Sequence, residues 1–432
     1  MNYQEALDFL YSQLPMFQRI GAAAFKKDLS NTIALCEHLG HPEHKFRSVH
    51  IAGTNGKGST AHSLASICSS AGLKTGLYTS PHLRDFTERI RIDGQKMEQE
   101  AVATFVETHK EYILALKPSF FEITVAMAFD HFAKEAVDIA IIEVGMGGRL
   151  DSTNVITPDL CVITNIGYDH QQFLGDTLPE IAGEKAGIMK RGVPVIIGQH
   201  QPELDAVYQQ KAEEVRATLI MATEHAAIRD AGADLQSRRF TIEQPAQWAG
   251  ETWEIDLPGI YQLQNLPGIL TAADQLAALG YPISKEAIKE GLAAVKQRSG
   301  LRGRWQQIGE EPLTICDTGH NTAAWEEIKK QLVQFEGRQL HLVIGMVNDK
   351  SIADVLHLFP KRAKYYFCAA KIPRALDAHA LAQEAKDVAG LQGAVIPDVQ
   401  EALSAARKAA GSDDVIFVGG STFVVAEVEE IG

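Results

Sequence analysis

The sequence predicts an α/β protein with two domains. The N-terminal domain is expected to be a P-loop-type, mostly parallel sheet with a small antiparallel excursion, and the C-terminal domain a smaller Rossmann-like α/β unit. Three observations support this. Short Val- and Ile-rich runs alternate with helix-period segments along most of the chain. The pattern changes to alternating residues around 238–256, and a second β/α series starts after a basic, glycine-containing stretch at 296–304.

The first series contains five clear strand predictions and five helices. The strands are Ser48–Ala52, Lys74–Thr79, Val137–Val144, Leu160–Ile166 and Val193–Ile197. The helices are expected to begin near Lys57, Glu98, Phe120 and Leu178, and a fifth is predicted from Ile260 toward Leu279.

The second series repeats this alternation on a smaller scale. Its strands are predicted at Leu313–Cys316, Gln339–Ile344, Lys364–Cys368 and Val415–Val418, and its helices begin at Thr322, Ile352, Ala378 and Val399. We therefore divide the chain into domains 1–297 and 298–432. Because ligands of open α/β sheets lie at the carboxyl ends of the strands, functional residues are expected just after them.

Composition narrows the classes of partner and the compartment. The chain has 432 residues, with 41 Lys and Arg against 55 Asp and Glu, and its net charge of −14 disfavours binding to nucleic acid. The five cysteines are scattered without zinc-site spacing, which indicates reduced thiols. The first residues lack the apolar core of a signal peptide, and no run is long enough to cross a membrane. We expect a cytoplasmic protein without membrane partners, with a monomer as the default.

A phosphate-binding loop is predicted directly after the first strand. The strand Ser48–Ala52 continues into a glycine-rich turn and then a helical run, an order that directs several N–H groups and a positive helix end at one point. The spacing departs from the strict Walker pattern because Gly58 separates the lysine from the hydroxyl residues, and a simple connecting turn is the alternative. The predicted ATP-binding residues of this loop are Gly53, Thr54, Asn55, Gly56, Lys57, Gly58, Ser59 and Thr60.

The loop and several later segments resemble the folylpolyglutamate synthases, Mur-type amide ligases that are often bifunctional with dihydrofolate synthase. The matching segments are GTNGKGS, YTSPHL, FFEITVAMAF, EVGMGGRLDSTN, ITNIGYDH, EKAGIMK, YQLQN and DTGHN. The family's usual DGAHN is here DTGHN, and its usual PGRF is here RGRW at 302–305. The charged and amide residues are retained in both, so the implied nucleotide contacts are expected to persist.

The resemblance implies metal and catalytic roles at predicted strand ends. Mg²⁺, at two sites, is expected on Ser59, Ser80, Glu143 and His170. A carboxylate after a buried strand suits Mg²⁺ on chemical grounds alone, whereas an imidazole is a less usual ligand for it. The alternatives are a strand-end helix cap or a surface charge for Glu143, an ordinary Ser-Pro turn for Ser80, and a structural or exposed histidine for His170. In the metal-binding role, Asp169 would orient the ring of His170.

The resemblance also names three catalytic residues, Lys57, Lys185 and His170. It implies that Lys185 is carbamylated by CO₂, which would turn a cation into an anionic oxygen donor. The alternative for Lys185 is an ordinary solvated helix lysine, because it falls in the helix-like run Leu178–Met189.

Further ligand contacts follow from the same resemblance. Asn265, Arg304, Asp317 and His320 match ATP-binding positions. The alternatives are a solvated linker charge for Arg304, a helix N-cap for Asp317 and a cap-adjacent histidine for His320. Folate is expected on Phe120, Phe121, Ser80 and His82, with helix core as the competing role of the two phenylalanines.

The activity implied is ATP-dependent addition of L-glutamate to a folate-type acceptor or to dihydropteroate, through an acyl phosphate. Because a carboxylate is a poor electrophile, such a site must bring ATP and the acid together with Mg²⁺ and cationic side chains and must exclude water. Two alternatives stay open: a Mur-type cell-wall amino-acid ligase and a non-catalytic ATP-binding switch protein.

Overall fold

The computed structural model describes residues 1–14, 28–348 and 352–431 and divides the chain into two compact units. The first comprises residues 1–231, 239–255 and 262–301, and the second comprises 232–238, 256–261 and 302–432. The chain therefore passes from the first unit to the second for the last time between Leu301 and Arg302. The predicted domain boundary at residues 297 and 298 stays a prediction.

The described part of the first unit is built on an eight-stranded sheet in the order β4-β3-β2-β5-β1-β6-β7-β8. Strands β2, β5, β1, β6, β7 and β8 pair in parallel, and β3 and β4 form an antiparallel edge beside β2. The strands are β1 (Ser48–Ala52), β2 (Thr75–Tyr78), β3 (Ile90–Ile92), β4 (Gln95–Lys96), β5 (Ile139–Glu143), β6 (Leu160–Ile163), β7 (Val195–Ile197) and β8 (Leu219–Met221).

Helices cover the central strands, which are buried throughout β1, β5 and β6. Their starts follow ordinary capping chemistry; Ser119 and Thr177, for example, form capping boxes with Glu122 and Glu180. The helices are α1 (Tyr3–Gln13), α2 (Ser30–His38), α3 (Lys57–Ser70), α4 (Gln99–Leu116), α5 (Phe120–Lys134), α6 (Gln171–Leu174), α7 (Leu178–Ala186), α8 (Asp205–Val215), α9 (Ala222–His225), α10 (Gln262–Ala278), α11 (Lys285–Ala293) and α12 (Val295–Ser299).

The antiparallel excursion is a three-stranded sheet of order β11-β10-β9. Its strands are β9 (Ala227–Ala233), β10 (Arg238–Gln244) and β11 (Thr252–Ile255). Alternate residues of β10 and β11 are buried, among them Phe240, Ile242, Trp253 and Ile255. This burial matches the alternating pattern of the sequence.

The described second unit has a six-stranded sheet of order β12-β13-β17-β14-β15-β16, parallel except for the edge strand β12. Its strands are β12 (Gln306–Gly309), β13 (Leu313–Cys316), β14 (Leu340–Ile344), β15 (Lys364–Phe367), β16 (Gly393–Val395) and β17 (Val415–Gly419). Its helices are α13 (Thr322–Leu332), α14 (Ile352–Leu356), α15 (Ala378–Ala389), α16 (Val399–Ala409) and α17 (Thr422–Ala426).

The predicted fold class is confirmed, and the strands it named occur within three residues of their predicted ends. The basic, glycine-containing stretch at 296–304 is helical in its first half, because the helix Val295–Ser299 extends into it. Six strands at or next to sheet edges were not predicted, namely β3, β4, β8, β9, β12 and β16. They are two to seven residues long and not fully buried, so they lack the continuous apolar run that marks a central strand.

The cores of both units are apolar, and Trp305, Trp325 and Phe417 lie fully buried in the second. Within the described ranges, none of the helices combines the length and the apolar character that crossing a bilayer requires.

Candidate functional site

The predicted phosphate loop, residues Gly53–Thr60, lies at the carboxyl end of β1 in the middle of the first unit's sheet. Gly53 and Gly56 have positive φ angles of 147° and 81°, so the chain turns sharply before α3 begins at Lys57. A Cβ atom on Gly56 would lie 2.3 Å from Asn265 Oδ1, and one on Gly53 would lie 1.8 Å from Thr164 Oγ1. The loop is thus closely packed on both sides and admits only glycine at these two positions.

The segment after β6 holds this loop by hydrogen bonds. The N–H groups of Thr54 and Asn55 donate to Asn165, at 2.8 Å to its carbonyl and 2.9 Å to its side-chain oxygen. Thr164 Oγ1 donates to the Asn55 carbonyl at 2.6 Å, and Gly167 N–H donates to Thr54 Oγ1 at 2.9 Å. The loop conformation is therefore fixed by neighbouring strand ends, as an anion-binding loop requires.

Two lysines converge on the Gly53 carbonyl. Lys57 Nζ donates to it at 3.1 Å, and Lys185 Nζ donates to it at 2.9 Å. Lys185 is only 4% exposed, so the alternative of a solvated helix lysine is wrong. Burial, and secondarily the charge of Lys57, lowers the pKa of Lys185 to about 7. The amine is thus easily deprotonated near neutral pH.

Glu143 and Ser59 lie at the same edge of the sheet. Glu143 ends β5 and pairs in register with Ile51 of β1, which places its buried carboxylate beside the phosphate loop. Glu143 Oε2 accepts the Ser80 backbone N–H at 3.1 Å, so the loop after β2 reaches this carboxylate. Ser59 Oγ, on the first turn of α3, accepts a hydrogen bond from the Gln262 amide at 3.1 Å.

His170 stands further along the segment after β6. It caps α6 with a left-handed φ of 51°, and its Nε2 lies 3.7 Å from Asp169 Oδ1, with about a third of the side chain exposed. The Asp169 charge also acts on Lys185, where it opposes the lowering of the pKa. The structure thus places Asp169 within electrostatic range of the buried lysine.

The predicted folate residues differ in their surroundings. Phe120 is 3% exposed and packs against Tyr11, Phe86 and Arg89 in the core. Phe121 is half-buried and lies over Gly145, since a Cβ on that glycine would meet the Phe121 ring at 2.4 Å. Phe121 therefore borders the segment that follows Glu143, whereas Phe120 has the core role that was the alternative for both. Their folate assignment stays a prediction.

His82 belongs to the loop after β2 and is held by a buried arginine. Arg89 Nε donates to His82 Nδ1 at 2.8 Å, so the imidazole is an acceptor at that nitrogen. Burial and the neighbouring guanidinium keep the pKa of His82 well below its usual value. A neutral imidazole is therefore present at this position.

The remaining predicted residues are in the second unit, around Asp317 at the end of β13. Asp317 Oδ2 accepts the Tyr261 hydroxyl at 2.6 Å and the Trp305 N–H at 2.8 Å, and Oδ1 accepts the Gly319 N–H at 2.8 Å. Burial raises the pKa of Asp317 although these hydrogen bonds oppose the effect. The cap of α13 is Asn321, so the helix-cap alternative for Asp317 is wrong.

Arg304 and His320 flank this carboxylate. Arg304 Nη1 donates to the Gly303 carbonyl and to Thr318 Oγ1 and is half-buried, so the alternative of a freely solvated linker charge does not hold. His320 is exposed, and its Nδ1 lies 3.3 Å from the Thr318 carbonyl. The second unit thus presents a cation and an imidazole around one buried acid.

Comparison with known proteins identifies the family. Residues 51–273 match the Mur ligase middle domain, and residues 303–422 match the Mur ligase glutamate ligase domain. The chain belongs to the Mur ligase family. The predicted resemblance is thereby confirmed, and the family is one of ATP-dependent ligases.

Individual Mur ligase relatives are similar over the whole chain. The dihydrofolate synthase/folylpolyglutamate synthase of Bacillus subtilis is 32% identical over 99% of this chain and 98% of its own length. The probable bifunctional folylpolyglutamate synthase/dihydropteroate synthase of Haloferax volcanii is 32% identical over 99% of this chain. The chain spans about half the length of that relative, 50%.

Solved structures of Mur ligases superpose closely. Escherichia coli FolC in complex with DHPP and ADP gives a TM-score of 0.85 at 30% identity, covering 100% of this chain and 97% of that one. A bifunctional folylpolyglutamate synthase/dihydrofolate synthase with Mn, AMPPNP and L-glutamate bound gives 0.79 at 29% identity, covering 99% and 97%.

Several residues that build this Mur ligase site were not singled out by sequence. Gln262 is fully buried against Ser59, and Asn165 holds the phosphate loop, yet each was only one letter of a longer matching segment. Asp151 accepts the N–H groups of Met146 and Thr153 and so fixes the segment after Glu143. A carboxylate two to five residues from its donors carries no periodic signal, so sequence alone does not reveal it.

Proposed function

We propose that this chain catalyses the ATP-dependent addition of L-glutamate to a folate-type acceptor, tetrahydrofolate or its polyglutamates, and to dihydropteroate. One observation carries the proposal: the glycine loop, the buried Lys185 and the buried Glu143 meet at one edge of the first unit's sheet. The residues proposed to bind the phosphates, the metal ion and the acid acceptor therefore lie in one small region. The relatives that are named dihydrofolate synthase/folylpolyglutamate synthase support the same substrates.

The reaction proceeds in two steps. An acceptor carboxylate oxygen attacks the γ-phosphorus of ATP, which forms an acyl phosphate and releases ADP. The uncharged amine of glutamate then attacks the acyl carbon, phosphate leaves, and the amine proton passes to water. Backbone N–H groups of the glycine loop and the positive end of α3 stabilise the phosphates. Lys57 supplies a positive charge at the same place.

The residues present suit a divalent oxygen-binding cation. Ser59 Oγ and the Glu143 carboxylate are hard oxygen donors, and both residues are buried at the edge of the sheet that carries the phosphate loop. Mg²⁺ held there would neutralise charge on the phosphates. Ser80, whose N–H already contacts Glu143, and His170 complete the proposed donor set for two ions.

Lys185 is proposed to act as its carbamate. A neutral lysine attacks CO₂ to form a C–N bond and releases one proton, and burial makes the neutral amine available near pH 7. The product is an anion, which removes the repulsion between two ammonium groups on the Gly53 carbonyl. Incorporation of ¹³CO₂, detected by NMR and lost in Lys185→Met, tests this step.

Other assignments stay proposals of the same kind. Asn265, Arg304, Asp317 and His320 are proposed to contact ATP, and Phe121, His82 and Ser80, with Phe120 behind them, are proposed to line the folate site. A monomer in the cytoplasm, without nucleic-acid partners, stays the expectation for the whole molecule.

The decisive experiment measures phosphate release by the pure protein with MgATP. We expect release only when glutamate and a folate-type acceptor are both present. Release with UDP-muramyl substrates would favour a cell-wall ligase, and ATP binding without release in any mixture would favour a switch protein. Comparison of dihydropteroate with tetrahydrofolate then decides which acceptors are used.

A matched pair of lysine variants separates chemistry from folding. Lys185→Ala should lower turnover at least about 100-fold because it removes the buried nitrogen beside the loop. Lys211→Ala removes a lysine that forms a surface ion pair with Glu214 in the same unit and should leave turnover unchanged. Equal turnover in both variants would contradict the role given to Lys185.

A further inference from the structure

A second cluster of metal-binding side chains lies in the turn before β1. His41, Glu43 and His44 surround a 3₁₀ turn, Pro42–His44, between α2 and β1. One donor atom from each lies within 4.8 Å of the others. In the part of the chain that the structure describes, this is the one set of three or more histidine, cysteine or acidic residues so arranged.

The distances within the cluster fit a small cation. Glu43 Oε1 lies 3.0 Å from His41 Nδ1 and 3.4 Å from His44 Nε2. Two ligands of a tetrahedral ion bound at 2.0–2.1 Å lie about 3.3 Å apart. The three donors therefore surround a point that an ion can occupy after only small side-chain shifts.

Glu43 itself is unusual for a residue of a surface turn. Its side chain is only 7% exposed, and its second oxygen, Oε2, is buried without a hydrogen bond of ordinary geometry among the described residues, while the Cys36 thiol, whose pKa Glu43 helps to raise, lies nearby. A buried carboxylate whose neighbours are imidazoles and a thiol is costly, and a cation offsets that cost. The two imidazoles stand on its solvent side, with His41 52% and His44 63% exposed.

The turn is anchored well enough to present these groups in one geometry. The His41 N–H donates to the Cys36 carbonyl at 2.7 Å, and His41 adopts a left-handed φ of 56° that aims its ring back toward Glu43. Three further N–H···O=C bonds of 3.0 to 3.3 Å close the turn. The donors are therefore largely preorganised.

We propose that His41, Glu43 and His44 bind one divalent transition-metal ion of the Zn²⁺ class, with water in the remaining position. Two imidazole nitrogens and one carboxylate oxygen select such an ion over Mg²⁺ or Ca²⁺, which prefer oxygen alone. The site is separate from the proposed ATP site and does not depend on it. Because only three residues separate His44 from β1, the ion stabilises the turn that leads into the central strand of the first unit.

Equilibrium dialysis of the full-length protein against Zn²⁺, followed by metal analysis, tests the proposal. We expect His44→Gln and Glu43→Gln to bind one ion fewer than the wild type, or to bind it at least about tenfold more weakly. The result is the difference in bound Zn²⁺ between wild type and variant, so Zn²⁺ bound elsewhere on the molecule cancels out. Identical binding by wild type and His44→Gln would overturn the proposal.

A neighbouring histidine pair is the matched control. His38 Nε2 and His109 Nδ1 lie 3.0 Å apart on the surface of the same unit, and no carboxylate of the described residues completes a set of three with them. His109→Gln should therefore bind Zn²⁺ as the wild type does. Loss of the ion in His109→Gln but not in His44→Gln would also overturn the assignment.

Thermal unfolding gives a second readout that is independent of ion counting. Zn²⁺ at about 100 times its Kd should raise the midpoint of the wild type by roughly 2–4 °C and leave that of His44→Gln unchanged. Because His44 is mostly exposed, the variant should unfold at the wild-type temperature without metal. An equal rise in both proteins would show that the stabilising ion lies elsewhere.

Discussion

The segment that follows β1 in the first unit and the segment that follows β13 in the second unit are built in different ways. After β1 the first unit has a loop made of backbone, whose glycines leave no room for side chains, and a buried lysine with a single carbonyl partner that the structure records. After β13 the second unit has a buried acid with three donors. The first arrangement leaves N–H groups and charge available to a ligand, whereas the second satisfies its charge within the protein.

This difference predicts which property, activity or stability, a substitution at each strand end should change. A loop that works through backbone position should fail when its path is displaced, with little loss of overall stability. A network that works through side-chain hydrogen bonds should lose stability when one acceptor is removed. Substitutions in the two regions should therefore act on different measured quantities.

The largest effect is expected for Gly56→Ala. Its Cβ would lie 2.3 Å from Asn265 Oδ1 at a φ of 81°, so the loop or Asn265 must move. We expect kcat/KM for MgATP to fall at least about 100-fold, equivalent to about 3 kcal/mol of transition-state stabilisation. Steady-state kinetics with the proposed substrates measures it.

Gly72→Ala is the control for this substitution. Gly72 has nearly the same φ, 80°, but no other atom of the described ranges 1–14, 28–348 and 352–431 lies within 4 Å of a Cβ there. The backbone strain is therefore matched and the close contact is absent. If both variants lost activity equally, strain at positive φ rather than the contact with Asn265 would be responsible.

In the second unit, Asp317→Asn should act on stability. An amide has one oxygen, so at least one of the N–H groups of Trp305 and Gly319 would face an NH₂ group instead of an acceptor. We expect the free energy of unfolding to fall by about 1–3 kcal/mol, measured by denaturant titration. Asp413→Asn, on the surface of the same unit, should change it by less than about 0.5 kcal/mol. Equal losses would contradict a buried network around Asp317.

How far the sequence predicts these two regions follows from the kind of signal each produces. Strand β1 and the start of α3 were predicted to the residue, because a buried apolar run and a glycine turn are local patterns. The position of Glu143 beside the loop followed from the rule that parallel strands end at one edge.

The burial of Lys185 could not be predicted in this way. Helix periodicity does not distinguish a lysine beneath a neighbouring loop from one in solvent, since the loop is 132 residues away in sequence. The three donors to Asp317 are likewise scattered, with Tyr261 lying 56 residues before it. Contacts across such separations are set by tertiary packing. Only the family resemblance indicates Lys185 and Asp317 as site residues.

The pH dependence of stability tests the buried charge of the first unit. The pKa of Lys185 is lowered to about 7, whereas an unfolded lysine titrates near 10.4, so between these values the unfolded chain binds more protons. Stability should therefore rise with pH, by about 2 kcal/mol from pH 7 to pH 9, and the contribution should be constant below about pH 6. Thermal midpoints in CO₂-free buffer, compared with those of Lys185→Met, isolate this contribution. Parallel pH profiles would show that Lys185 keeps an ordinary pKa.

The smallest effect is expected at Gln262, where the first unit uses a side-chain contact like those of the second. Its amide donates to Ser59 Oγ at 3.1 Å, and its oxygen accepts from Asn265 at 2.8 Å. Gln262→Ala should raise KM for MgATP about three- to tenfold, or about 1 kcal/mol, with kcat nearly unchanged, because it frees Ser59 and Asn265 without displacing the backbone. Gln264→Ala, exposed on the same helix, should match the wild type. A larger fall in kcat for Gln262→Ala than for Gly56→Ala would mean that side-chain contacts, and not the backbone turn at the glycines, hold the loop in its active conformation.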